Sequence, residues 1–185
     1  MLHNKQEPAA EQLLAREYVF KGRLLTLRID TVLTADGHQS TREIIEHGDC
    51  IGVIPVDAAN NVLLVNQYRT PVGKNLLEIP AGGIDEGEDA DTAVVREMQE
   101  ETGFKPGKVT RLGGFYLSPG FSTEYMHLYL AEDLTPSQLH AEDTAGIELV
   151  RVPAAAIPAL LTSGKIEDGK SLAGLLYWLK FTVDS

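Results

Sequence analysis

The chain is short of cysteine, of positive charge and of long apolar runs. Its single cysteine is Cys50, so no disulfide can close within the chain, and a zinc site built from several cysteines is excluded. That usage fits a reducing compartment. Lysine and arginine total 16 against 27 acids, a formal charge of −11. A surface so charged repels a phosphate backbone, which excludes nucleic acid as the expected partner. No stretch approaches the run of about 18 apolar residues that a membrane-spanning helix needs. The first residues, MLHNKQEPAAEQLL, hold no apolar run of signal-peptide type. These absences predict a cytoplasmic protein with no membrane partner. The histidines at positions 3, 38, 47, 127 and 140 make no paired metal spacing and read as structural or exposed.

What is present is an ordinary globular balance, 43% hydrophobic and 23% charged over 185 residues. That suffices for one domain with a good core and a small appendage. After a polar start, EYVFKGRLLTLRIDTVL, the turn signal ADGH and STREIIEHG read as three antiparallel strands over roughly 15–48. Three strands are too thin to stand alone, so they must pack on the rest of the chain or on a second copy. CIGVIPVD and NVLLVNQYR read as two apolar strands joined as a hairpin through AANN. Residues 89–102 read as a helix with Ala93, Val94 and Met98 as its apolar stripe, stopped by Gly103. Strands follow near 108–117, 124–132 and in IELVRVP, then two closing helices in PAAAIPALLTSGK and GKSLAGLLYWLKF. This order predicts an α/β fold: a mixed sheet with helices on both faces. The expected division is an N-terminal β segment, 1–48, and a larger domain, 49–185.

The helix carries an unusual concentration of acid. REMQEETG places Glu97, Glu100 and Glu101 within one and a half turns. Like charges three and four residues apart repel by about 0.2–0.5 kcal/mol per pair, so something should neutralise this face. Hard divalent cations prefer carboxylate oxygens and retained waters, and three carboxylates could hold one to three such ions. The glycine-rich loop before the helix lets backbone approach the ions, and a carbonyl there could be a ligand. Glu88 is placed to pair with Arg96 two turns on. Cations beside a phosphate oxygen stabilise developing charge and lower the pKa of a bound water, which implies hydrolysis at phosphorus. A solvated acidic helix behind a loose loop would give the same run of acids.

The whole stretch separates these readings. GGIDEGEDADTAVVREMQEETGF, Gly82 to Phe104, resembles the Nudix box, G-x5-E-x7-R-E-U-x-E-E-x-G-U with U apolar. Gly82, Glu88, Arg96, Glu97, Met98, Glu100, Glu101, Gly103 and Phe104 fill its fixed positions. LLEIPAGG before the box, SPGFSTE after it and KSLAGLLYW near the end look like the ADP-ribose pyrophosphatase branch. That branch is marked by a proline sixteen residues past the last glycine of the box, and Pro119 stands sixteen after Gly103. The similarity covers roughly 16–180 and implies a Nudix α/β/α sandwich.

The resemblance implies roles. Glu97 and Glu101 would be the main metal ligands, Glu100 a further or water-mediated one, and Ala81 a ligand through its carbonyl. The metal would be magnesium, with manganese as the alternative. Gly82, Glu88, Arg96 and Gly103 would be structural within the box. Arg42 in TREIIEHG and Arg69 in QYR match arginines that relatives use on substrate, where a planar fork of donors suits phosphate or ribose. Pro119 falls on the substrate side by the same match. Tyr18 and Phe20 are candidates to stack on adenine from a neighbouring subunit, with packing as the alternative role. Relatives in this branch are homodimers. Their general base often sits in a dense acidic loop before the strand IELVRVP, but HAEDTAG offers only Glu142 and Asp143. Either of these, or a box glutamate such as Glu101 or Glu100, is the candidate base. The implied reaction is hydrolysis of ADP-ribose to AMP and ribose 5-phosphate. The alternatives are another diphosphate (GDP-mannose, NADH, FAD or a dinucleotide) or a non-catalytic ADP-ribose sensor.

Overall fold

The computed structural model describes residues 10–141 and 144–183. The chain divides into two units, one of the chain up to Gly48 with Ser118–Glu124, the other of Asp49–Leu117 with the chain from Tyr125 on.

The first unit is an antiparallel sheet of β1 (Gln12–Lys21), β2 (Leu25–Leu33) and β3 (Gln39–His47) in the order β1-β2-β3. Gly37, with φ +84°, turns the chain between β2 and β3 as the Asp-Gly pair predicts. Segment 118–124 lies along β3: the Ile45 amide donates to the Phe121 carbonyl at 2.7 Å and the Thr123 amide to the Ile45 carbonyl at 3.0 Å. An ionic knot crosses the sheet. Arg16 donates to both oxygens of Asp30 at 2.9 Å, and Arg28 reaches Asp30 and Glu46. The strand β1 is exposed throughout, including Leu13, Leu14, Tyr18, Val19 and Phe20. Tyr18 and Phe20 are therefore not core residues of the chain itself.

The second unit is the α/β part. β4 (Cys50–Pro55), β5 (Asn61–Arg69), β6 (Lys74–Glu78) and β7 (Ala81–Gly83) precede α1 (Ala90–Glu97). β8 (Phe104–Lys105), β9 (Lys108–Tyr116), β10 (Tyr125–Glu132), β11 (Thr135–Pro136) and β12 (Glu148–Pro153) lead to α2 (Ile157–Thr162) and α3 (Gly169–Trp178). A mixed sheet has the order β7-β4-β10-β9, with β10 parallel to β4, and an antiparallel one the order β12-β5-β6. The period-2 alternation of strands decides which helix each residue meets. Ile51 and Val53 of β4, with Tyr129 and Ala131 of β10, pack on Ala93, Val94 and Met98. Ile54, Leu128 and Leu130 point the other way, to Leu175 and Trp178 of α3. Helices on opposite faces follow from strands that are apolar on both sides.

One expectation is corrected. AANN is a turn, with Asn60 at φ 59°, but β4 and β5 do not form a hairpin. An isolated bridge from Val56, just past β4, to Val62 closes the turn, and the two strands enter different sheets. Each is buried on both faces and takes two neighbours of its own, as a central strand does. The helix over 89–102 is also not uniform. α1 ends at Glu97 and a π-turn runs from Met98 to Thr102 before Gly103 stops it at φ +77°. Among the described residues no helix is long and apolar enough to cross a membrane.

Candidate functional site

The acidic stretch of the second unit is built outward from α1. Asp89 caps the helix, accepting from the Thr92 amide at 2.8 Å. The apolar stripe Ala93, Val94 and Met98 anchors it on the sheet. The opposite side then presents Arg96, Glu100 and the loop, and the π-turn carries Glu100 and Glu101; such widened turns recur at functional sites.

Arg96 organises the group. Its Nε donates to Glu88 at 3.0 Å, and its Nη2 to Glu88 at 2.8 Å and to the Gly83 carbonyl at 2.9 Å. Its Nη1 donates to Glu97 at 2.6 Å and to Glu100 at 3.2 Å. All five guanidinium donors are thus committed. The Glu88 pairing read from the sequence is present, and it holds the Glu88 carboxyl below its ordinary range. The same guanidinium neutralises part of the acidic face by pairing with Glu97 and Glu100, which the spacing alone did not reveal.

Glu97 is 8% exposed, and its carboxylate lies against the backbone of Gly82. A Cβ at position 82 would stand 2.1 Å from both the Glu97 carboxyl carbon and Oε1. Only glycine leaves that space. Glu101 accepts from the Ala81 amide at 3.0 Å. Burial pushes Glu101 up to about 8, with the Glu97 charge adding to the shift. Burial also raises Glu97, against the pull of Arg96. Two buried carboxyls raised in this way, in a set whose donors are all oxygen, fit a hard divalent cation: a positive charge there would remove the cost of ionising both. Ala81, Glu97, Glu100 and Glu101 are therefore gathered in one place, with Gly82, Glu88 and Arg96 around them.

The other sequence-predicted residues are distributed more widely. Arg69, on β5, has its fork on Glu78, with Nε at 2.8 Å and Nη2 at 2.7 Å. In the first unit Arg42 bonds Glu11, Ser40 and the Thr41 carbonyl. Arg42 and Pro119 line one cavity of about 370 Å³ together with Arg28 and Phe121; Phe20 is not in that lining. Glu142 and Asp143 lie outside the described residues. The loop before them is tied to the helix end: the Gln138 side-chain Nε2 donates to the carbonyls of Gln99 and Glu100, both at 3.1 Å.

Sequence reasoning missed a buried polar group at the start of α3. Glu78 is 1% exposed, Ser171 0% and Lys170 8%. The available signals were a lone acid inside the apolar LLEIP and an Asp-x-x-Ser cap at Asp168.

Two family models match the chain: the NUDIX domain over residues 46–175 and the nucleoside diphosphate sugar hydrolase N-terminal domain over residues 11–45. The ADP-ribose pyrophosphatase of Bacillus subtilis is 31% identical over 169 residues, which cover 90% of this chain and 91% of that protein. The GDP-mannose pyrophosphatase of Yersinia enterocolitica is 33% identical over 150 residues, 75% of this chain and 78% of that protein. A solved structure described as an ADP compounds hydrolase has a TM-score of 0.86 at 24% identity, covering 95% of this chain and 97% of that one; it bears on the fold.

Proposed function

Because the chain belongs to the Nudix hydrolase family, we propose that it uses divalent metal ions to hydrolyse the pyrophosphate bond of ADP-ribose, giving AMP and ribose 5-phosphate. The observation that carries this reading is the gathering of Glu97 against Gly82 and Glu101 on the Ala81 amide, with Glu100 joined to Glu97 through Arg96 and the space beside Glu97 kept open by glycine. The similarity to an ADP-ribose pyrophosphatase over nine-tenths of both chains supports the substrate.

In this reading Glu97 and Glu101 are the principal ligands, Glu100 is a further or water-mediated one, and Ala81 adds its carbonyl. Bound magnesium, or manganese, would supply charge for the pyrophosphate oxygens and lower the pKa of a water. Glu88 and Arg96 hold the loop on the helix, and Gly103 ends it. Arg69 and Arg42 engage the substrate, Pro119 borders the second of these, and Phe20 stacks on the base. Glu142, Asp143 or a glutamate of the box takes the proton of the attacking water. Residues 1–48 serve dimerisation and 49–185 catalysis. The exposed apolar side chains of β1 support a homodimer, because patches of that kind mark interaction surfaces. The single cysteine supports a cytoplasmic setting.

The similarity to a GDP-mannose pyrophosphatase favours GDP-mannose as the second reading. A coupled phosphate-release assay with magnesium separates the two. It would compare ADP-ribose, ADP-glucose, GDP-mannose, NADH, FAD and diadenosine polyphosphates. A preference for ADP-ribose is expected. A preference for GDP-mannose would move the substrate and keep the chemistry. No metal-dependent turnover on any diphosphate would refute the reading.

A further inference from the structure

Glu78 ends β6 in a place where a lone carboxylate would be costly, since its side chain is 1% exposed. It is met by two cations. Arg69 donates to it from Nε and Nη2 at 2.8 and 2.7 Å, and the Lys170 ammonium donates to its Oε2. Lys170 also reaches Asp168 at 2.9 Å. Asp168 caps α3, accepting from the Ser171 amide at 3.0 Å and the Ser171 hydroxyl at 2.5 Å. The Ser171 Oγ in turn accepts from the Ile79 amide at 2.8 Å. The network starts at the Arg69 guanidinium and closes on the backbone next to Glu78, two residues before Ala81.

Two cations and two carboxylates leave the group neutral, so it adds little net field. Stability alone does not call for it, because apolar residues of similar volume commonly replace a buried ion pair without loss. What the charges supply is direction. Arg69 is held by two of its three nitrogens, its side chain is 38% exposed, and no hydrogen bond engages its Nη1 among the described residues. A guanidinium fixed along one edge presents the other edge in a set orientation, which a lysine cannot do.

We propose that Glu78 is a positioning residue for the reaction, held in place by Lys170 and Asp168, and that it aims the free edge of Arg69 at an anionic or hydroxyl oxygen of the bound nucleoside diphosphate sugar. The proposal rests on the assignment of Arg69 to substrate made above. It makes Glu78 and Lys170 part of the substrate-orienting machinery even though neither touches the substrate.

The test uses the full chain with magnesium and has two arms. In the first, the Arg69 Nε–H is followed by nitrogen-15 NMR, assigned by its absence in Arg69→Lys. Slow hydrogen exchange is expected in the native chain, and exchange at least about tenfold faster in Glu78→Gln. Fast exchange in the native chain, or no change in Glu78→Gln, overturns the positioning whatever the substrate is. In the second arm, Glu78→Gln is expected to raise KM for ADP-ribose about tenfold with kcat within about twofold. Leu175→Ala, which loosens the same helix from the core, serves as the stability control. Its KM should stay within about twofold of native at a comparable loss of Tm. An equal KM rise in Leu175→Ala would make Glu78 merely structural and overturn the proposal. A native KM in Arg69→Lys would refute the assignment of Arg69 itself and the proposal with it. A raised KM in Arg69→Lys beside a native KM in Glu78→Gln would overturn only the positioning.

Discussion

Replacing Gly82 by alanine tests the proposed metal role of Glu97 with the smallest possible change. The added methyl would lie 2.1 Å from the Glu97 carboxyl carbon and 2.4 Å from Oε2, whereas ordinary contact begins at 3.4 Å. The carboxylate must therefore retreat by about 1.3 Å. It is the far end of a flexible side chain, so the fold can absorb the move, at a cost of about 1 kcal/mol for an off-rotamer arrangement. A metal site cannot absorb it, because ligand distances must hold to within about 0.2 Å. A misplacement of about 1 Å near the chemistry costs about a hundredfold in rate, or about 2.7 kcal/mol of barrier. The assay is kcat/KM on ADP-ribose across a magnesium titration, with thermal unfolding in parallel. The expected result is a large loss of activity, a weaker magnesium response and a small change in Tm. Native activity at native magnesium would refute the placement of a metal ligand at Glu97. Collapse of the fold would refute the claim that the side chain alone takes up the strain.

Glu97→Gln and Glu101→Gln should each lower metal-dependent turnover by more than about a hundredfold while leaving the circular dichroism spectrum unchanged, since even outer-shell partners of a metal commonly cost ten- to a hundredfold. Near-native activity of either would remove it from the metal set. Gly103→Ala forces a side chain into φ +77° with its Cβ 2.6 Å from the Gln138 Oε1; denaturant unfolding should report a loss of about 1–2 kcal/mol. The Asp30 carboxyl is held below its ordinary value of 3.8 by the Arg16 hydrogen bond, against burial and with help from Arg28. A lowered folded pKa gives stability that is present above the unfolded value and lost as pH falls through the folded one. Asp30→Asn should therefore flatten the acid side of the stability curve below pH about 4, measured by urea titration at several pH values. An unchanged acid limb would show that the ion pair carries no linkage.

Much of the site was legible because its chemistry is local. The spacing from Gly82 to Phe104 lies within one loop and one helix, so residue types at fixed offsets are enough to place three carboxylates, the Glu88–Arg96 pair and the helix stop. The cover of the sheet by helices on both faces was legible too, from the order of strands and helices along the chain. The failed hairpin at 58–61 marks the boundary of such reasoning. Two apolar strands joined by a turn are compatible with pairing to each other or to strands distant in sequence, and the six-residue parallel ladder of β4 with β10 was out of reach of any local pattern.

Residue identity and helical spacing were enough to say which side chains carry charge to the acidic face of the helix, since neither needs a partner from elsewhere. What balances that charge, and what holds the second arginine, came only with the folded chain. Arg96 commits all five donors to groups up to thirteen residues away, and Arg69 meets Glu78, which is itself bound by Lys170 from 92 residues further along the chain. A buried ion needs its counter-ion in space, not in sequence. That Glu78 carries both Arg69 and Lys170 is therefore settled when α3 packs on the strands, and not before.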